Sequence, residues 1–207
     1  VANQKYSIGV RRVELVNASD NAVKLDEMTR AVTTIEYEHH EIHAGSMYEA
    51  QVIDTNMADN ASINICFKTP NTAKWLHMLP EFSAKVAGSM FIIENATWEA
   101  TSGTVTLVRN RNRNSVNTSD VKINATSGVF CPDASVLVNA SGAAVGAGSV
   151  IHQDVVFGTK QSGGGTRGAE EYVLKQDTKY AFIFKADGAT NGGELELNWY
   201  EHTTKTN

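Results

Sequence analysis

With 207 residues, 42% hydrophobic content and a formal charge of −5, the chain is long enough to close a packed core and carries no broad cationic field to hold nucleic acid or an anionic membrane. No apolar run approaches the roughly 20 residues that cross a bilayer as a helix, and the opening VANQKYSIGVRR lacks the apolar centre of a signal peptide, so a soluble chain without a leader is expected. The cysteines, Cys66 and Cys131, are far apart in apolar or strand-like contexts, and two buried thiols are expected rather than a disulfide.

Residues 1–32 hold an extended piece at 13–16 and a helical candidate at 20–30, with Val23, Leu25 and Met28 as its apolar contacts, and are expected to form an irregular arm. Strands are predicted at 33–43, 47–54 and 62–68, with turn material at 44–46 and 56–60. Pro70 and Asn71 mark a turn before a strand at 74–78, and strands at 81–86 and 89–94 flank an expected hairpin at Gly88. Within 104–113 an apolar row, Val105 and Leu107, is continued on the same face by Arg109, Arg111 and Arg113, and such a strand must leave the core partway along.

The stretch 114–148 is rich in Ser, Asn, Ala and Gly, with short strand candidates at 121–123 and 135–138. Residues 150–157 are apolar again, and QSGGGTRG at 161–168 reads as a loop, since it lacks the Lys-Ser/Thr of a phosphate-binding loop. Strands at 171–175 and 179–185 form an expected hairpin through 176–178, with Tyr180, Phe182 and Phe184 on one face. After a turn at 186–193, the strand 194–201 sends Leu195, Leu197 and Trp199 one way and Glu194, Glu196 and Tyr200 the other. Roughly ten to twelve short strands joined by turns predict an all-β protein, an antiparallel β-sandwich or jelly-roll-like single domain over 33–207 behind the arm at 1–32. A parallel α/β sheet is disfavoured because its crossover helices are missing.

Six Asn-x-Ser/Thr triplets begin at Asn17, Asn60, Asn95, Asn117, Asn124 and Asn139. In a chain this rich in Asn, Ser, Thr and Ala they arise by chance, and the same composition favours turns.

Two segments invite chemistry. The run IEYEHHEIHAGSMYEA at 35–50 holds three of the six histidines, and in a strand Tyr37, His39, Glu41 and His43 share one side while Glu36, Glu38, His40 and Ile42 share the other. Positions two apart on a strand are about 6.5 Å from each other, so His39, Glu41 and His43 close on a metal only with inward-leaning side chains, and a hydrated strand at an edge or interface is the expectation. The spacing loosely approximates a cupin site and misses His-Glu-x-x-His by one residue. In the run RNRNRN, the guanidinium groups of Arg109, Arg111 and Arg113 could grip carboxylates on a partner or pair internally with Glu36, Glu38 or Glu41 on a neighbouring strand. Trp75, Trp98 and Trp199 sit among apolar neighbours and are expected in the core rather than on a sugar. No nucleophile elbow or comparable signature is present, so neither enzyme activity nor a cofactor is expected.

The segments TTIEYEHHEIHAGSMYEA (33–50), FKTPNTAKWLHM (67–78), VRNRNRNS (108–115), KQSGGGTRGAEEYVLKQDTKYAFIF (160–184) and ELELNWYEH (194–202) together resemble a family of tailed-phage virion structural proteins. The resemblance implies a β-rich capsid decoration (cement) protein on the outer head surface, made in the host cytoplasm, with the major capsid protein as partner and assembly as a trimer or dimer. It supplies no catalytic residue. On this expectation Arg109, Arg111, Arg113, Glu36, Glu38, His40 and the N-terminal arm form the contact surface. The rivals are a receptor- or glycan-binding tail or fibre protein using Trp98 or Tyr200, and a cupin-like metalloenzyme using His39, Glu41 and His43.

Overall fold

A computed structural model describes residues 37–99, 102–123, 135–157 and 171–203. The arm at 1–32, the glycine-rich loop at 161–168, Cys131 and Glu36 lie outside the described residues, as do the side chains of Tyr37 and Glu38. The chain divides into two units, 1–39 and 40–207. One helix, α1 (Tyr37–Ala44), precedes eleven strands: β1 (Met47–Met57), β2 (Ser62–Lys68), β3 (Lys74–Ala84), β4 (Ala87–Glu94), β5 (Thr104–Leu107), β6 (Arg109–Asn110), β7 (Ser135–Val138), β8 (Ser149–Phe157), β9 (Tyr172–Leu174), β10 (Lys179–Ala186) and β11 (Asn191–Thr203).

The strands build two antiparallel sheets, ordered β6-β1-β11-β3-β9 and β5-β7-β2-β10-β4-β8. β1 pairs with β11, β2 with β10, β3 with β9 and β4 with β8, the ladder of one long antiparallel ribbon. Rolling that ribbon brings β11 against β3 and β10 against β4, which closes the two sheets over each other. This is jelly-roll connectivity within an all-β sandwich. The segment between β4 and β8 supplies β5, β6 and β7, which extend the sheets beyond β1 and β2.

The core follows the alternation read in the sequence. Tyr180, Phe182 and Phe184 from β10 meet Leu195, Leu197 and Trp199 from β11, together with Ile63, Ile65 and Phe67 from β2 and Leu76, Met78 and Phe82 from β3. Phe67 lies between the rings of Phe182 and Trp199, with centroids 5.8 and 6.3 Å away. A smaller cluster, Cys66, Phe91, Ile93, Ala181 and Ile183, packs on the opposite face of the second sheet.

Four local expectations are corrected. Residues 37–44 are helical instead of extended. Neither expected hairpin forms: β3 and β4, and likewise β9 and β10, are consecutive strands in opposite sheets, because the rolled ribbon sends neighbours in sequence across the sandwich. The expected break between 78 and 81 is absent, and β3 runs through Pro80 opposite Leu197. β9 covers only Leu76 to Met78, so the N–H that proline lacks falls where that side of β3 has no described partner. The expected strand at 121–123 is a single bridge between Lys68 and Lys122.

Asn60, Asn95 and Asn139 have φ of 61°, 55° and 53°, left-handed turn positions that asparagine tolerates. Three of the Asn-x-Ser/Thr triplets therefore begin at turns.

Candidate interface at the arginine corner

β5 belongs to one sheet and β6 to the other, and the chain crosses between them at the partly buried Val108, which packs on the core. The strand expected at 104–113 thus leaves its sheet where the apolar row gives way to arginine. Arg109 then pairs in register with Glu49 of β1, its Nη1 3.9 Å from Glu49 Oε1.

The asparagines of RNRNRN hold the corner. Asn110 Nδ2 donates to the carbonyls of Gly45 (2.9 Å) and Asn117 (3.0 Å), and Asn110 Oδ1 accepts the Asn112 N–H at 2.9 Å. Asn112 Nδ2 donates to the His43 carbonyl at 3.2 Å, and its Oδ1 accepts the Asn114 N–H at 3.1 Å. Asn117 Nδ2 adds a second donor to the Gly45 carbonyl at 3.2 Å. The His43 and Gly45 carbonyls lie at the C-terminal end of α1, where a helix leaves carbonyls without partners in its own turns.

α1 ends in a Schellman arrangement: the Gly45 N–H donates to the Ile42 carbonyl and the Ser46 N–H to the Glu41 carbonyl, each at 3.0 Å. Gly45 has φ +71°, and a Cβ there would lie 2.3 Å from Ser115 Oγ. Both requirements select glycine.

The helix changes the reading of the histidine run. Residues two apart on a helix are separated by about 200° of rotation, so Glu41 faces away from His39 and His43. Glu41 is buried and accepts the Ser46 hydroxyl, whereas His39, His40 and His43 are exposed. His40 Nδ1 lies 3.5 Å from Glu41 Oε1. Among the described residues no group of three or more His, Cys, Asp or Glu is arranged to hold a metal ion.

Beside Arg109 an open cleft of about 230 Å³ is lined by Glu49, Gln51, Thr106, Leu107 and Glu196. Leu107 is 62% exposed, and Val105 and Arg113 are exposed as well. The corner therefore offers cations next to uncovered apolar side chains, a composition suited to contact with another protein. Of the residues expected on one contact surface, Arg109 and Arg113 are displayed here, Arg111 is half-buried, and His40 is exposed on α1. Of the carboxylates expected opposite the arginines, Glu41 is turned inward, and Glu49, which the sequence reading missed, pairs with Arg109.

The aromatic candidates separate. Trp199 and Tyr200 are buried, which corrects the expectation of an exposed platform at Tyr200. Trp98 is half-buried, Lys179 Nζ lies 5.0 Å above its ring, and its indole N–H is buried without a hydrogen-bond partner among the described residues. A further cluster was invisible in the sequence: His77 Nδ1 is 2.6 Å from Glu171 Oε1 and 3.1 Å from the Tyr200 hydroxyl, and the His77 ring stacks on Tyr200 and His202 with centroids 4.5 Å away from each. The register of β3 against β11 brings His77, Tyr200 and His202 together, and the pairing of β3 with β9 brings in Glu171. They include the parts of an acid–base pair, and Tyr200 is buried.

Among the described residues, no helix is long and apolar enough to cross a membrane. No family model, curated protein or solved structure matches this chain.

Proposed function

We propose that the chain is a structural protein of a bacteriophage particle, a decoration protein that binds the assembled head through the arginine corner. The observation that carries this reading is the division of labour within RNRNRN. Asn110 and Asn112 are spent on the end of α1, which fixes the backbone, with Arg109 beside the exposed Leu107 and Arg113 exposed further along the run. A rigid backbone lowers the ordering cost of binding, and guanidinium groups suit carboxylates on a partner surface. Jelly rolls serve viral shells, lectins and some enzymes alike, so the fold supports this reading only by analogy. The sequence resemblance gives the reading its partner, the major capsid protein, and its location on the capsid surface. Many copies on one lattice would add avidity to modest single contacts. No catalytic group or cofactor enters the proposal.

The test is attachment. Changing Arg109, Arg111 and Arg113 to Ser is expected to give a folded protein that leaves heads at lower salt than the wild type. Equal occupancy across a salt series would remove the attachment role.

A second reading, glycan binding at Trp98, is favoured by the half-exposed indole with Lys179 over its ring and an unpartnered N–H. Loss of glycan-array binding in a folded Trp98→Ala variant would support it, and an array without signal for the wild type would dismiss it.

A further inference from the structure

Each sheet has two outer strands, and three of the four are short: β6 has two residues, β9 three and β5 four. Short edges offer little backbone for another strand to pair with. The fourth, β8, has nine residues and borders its sheet beyond β4, with no described strand on its other side. Val150, Ile151 and Val155 on β8 are 46%, 42% and 39% exposed. An exposed apolar strand of this length at a sheet border is a site for β-strand addition.

We propose that the outer edge of β8 is where a second copy of this chain docks, antiparallel to the first about a two-fold axis at Gln153, so that the two six-stranded sheets run on into one. The side chains identify the occupant. With Gln153 opposite its own copy, Ile151 faces Val155 and His152 faces Asp154, and symmetry makes each contact twice. An apolar pair and an imidazole–carboxylate pair are both favourable cross-strand neighbours. Shifting the register by one residue places Ile151 against Asp154 in one direction, and His152 against Val155 with Gln153 against Asp154 in the other, so the imidazole–carboxylate pair is lost either way.

Two local features set the strength. β8 carries a bulge at Ile151, where Val150 pairs with Ile93 and His152 with Ile92, and this limits the regular ladder at that end. In the single chain Asp154 Oδ1 accepts the Val155 N–H at 2.7 Å, so one donor of the strand is already satisfied within the chain. Docking exchanges that bond for a ladder bond and frees the carboxylate for His152 of the second copy. The exchange predicts a reversible, concentration-dependent dimer. The inference concerns a different border of the fold from the arginine corner and does not rest on the capsid reading.

Sedimentation equilibrium on the whole chain is the test. The wild type is expected to pass from monomer to dimer as concentration rises toward about a millimolar. Val155→Lys is expected to raise the dissociation constant at least about tenfold, the loss of about 1.4 kcal/mol. His152→Asp and Asp154→His are each expected to weaken the dimer, and the double exchange to restore it. Circular dichroism confirms that each variant is folded, and Val173→Lys on the exposed face of β9 serves as the control that leaves the dimer unchanged. A wild type that stays monomeric throughout, or an oligomer indifferent to Val155→Lys and to the charge exchange, overturns the inference.

Discussion

Two buried carboxylates show how neighbours decide what a charge does to stability. Glu94 accepts from Lys175 Nζ at 2.6 Å and from the Tyr180 hydroxyl at 2.8 Å, and the lysine beside it holds its carboxyl below the ordinary value of 4.5. Its contribution is present above that value and is lost as pH falls through the depressed pKa. Glu94→Gln is therefore expected to cost about 1 kcal/mol near neutral pH, discounted for the exposure of Lys175, and the gap to the wild type should close in acid urea titrations. Glu201 has no cation in the contacts that hold it: it accepts from the Ser119 hydroxyl, the Asp120 N–H and, at 3.0 Å, the Trp199 indole. Burial outweighs these bonds and raises its pKa above 4.5. The folded state then binds more protons than the unfolded one between the two values, so the contribution of Glu201 is fully present below 4.5 and is lost as pH rises through the raised pKa. Removing the charge with Glu201→Gln should flatten that decline, and Tm measured against pH in the two proteins checks it. Burial also pushes the Cys66 thiol up to about 12, which leaves it inert as a nucleophile.

Among elements, the strands were legible where a short run of β-branched and aromatic residues is bounded by turn residues. β2, β7 and β10 lie within one residue of the sequence reading, although β2 and β10 prove to be buried on both faces. α1 was not legible. YEHHEIHA offers only Tyr37 and Ile42 as large apolar residues, so no helical stripe competes with the strand-like alternation of its charges. The deciding signal was Gly45, read as a turn and in fact the left-handed end of a helix. The arginine corner was half legible in the same way: the row of cations stood out, while the asparagines between them, which hold the backbone, were assigned no role. This division predicts opposite outcomes for adjacent residues. Asn110→Ala removes two donated bonds and one accepted bond and is expected to lower stability by about 1–2 kcal/mol. The triple change of Arg109, Arg111 and Arg113 to Ser should stay within about 0.5 kcal/mol of the wild type. Urea midpoints at unchanged m-value separate the two cases.

At the level of the whole molecule, the sequence cannot show that strands joined by two residues, as β3 and β4, or four, as β9 and β10, lie in different layers. That follows from the rolled ribbon, in which the first strand, β1, pairs with the last, β11. The two sheets also have to approach closely, and Phe184 marks where. Its ring, from β10, lies against Gly88 of the adjacent β4 and against Gly193 of β11 in the other sheet; a Cβ built on either glycine would fall 2.3 Å from a ring carbon. Neither glycine has a left-handed backbone, so the requirement is space and not conformation. Gly193→Ala must push Phe184 or the sheets apart and is expected to destabilise the protein by about 1–3 kcal/mol. Phe184→Leu alone opens a cavity and costs a similar amount. In the double variant the added methyl enters the space the ring has left, so its loss should be smaller than the sum of the single losses by about 1 kcal/mol or more, measured as a double-mutant cycle in urea. Additive losses would mean that the sheets do not meet at this ring.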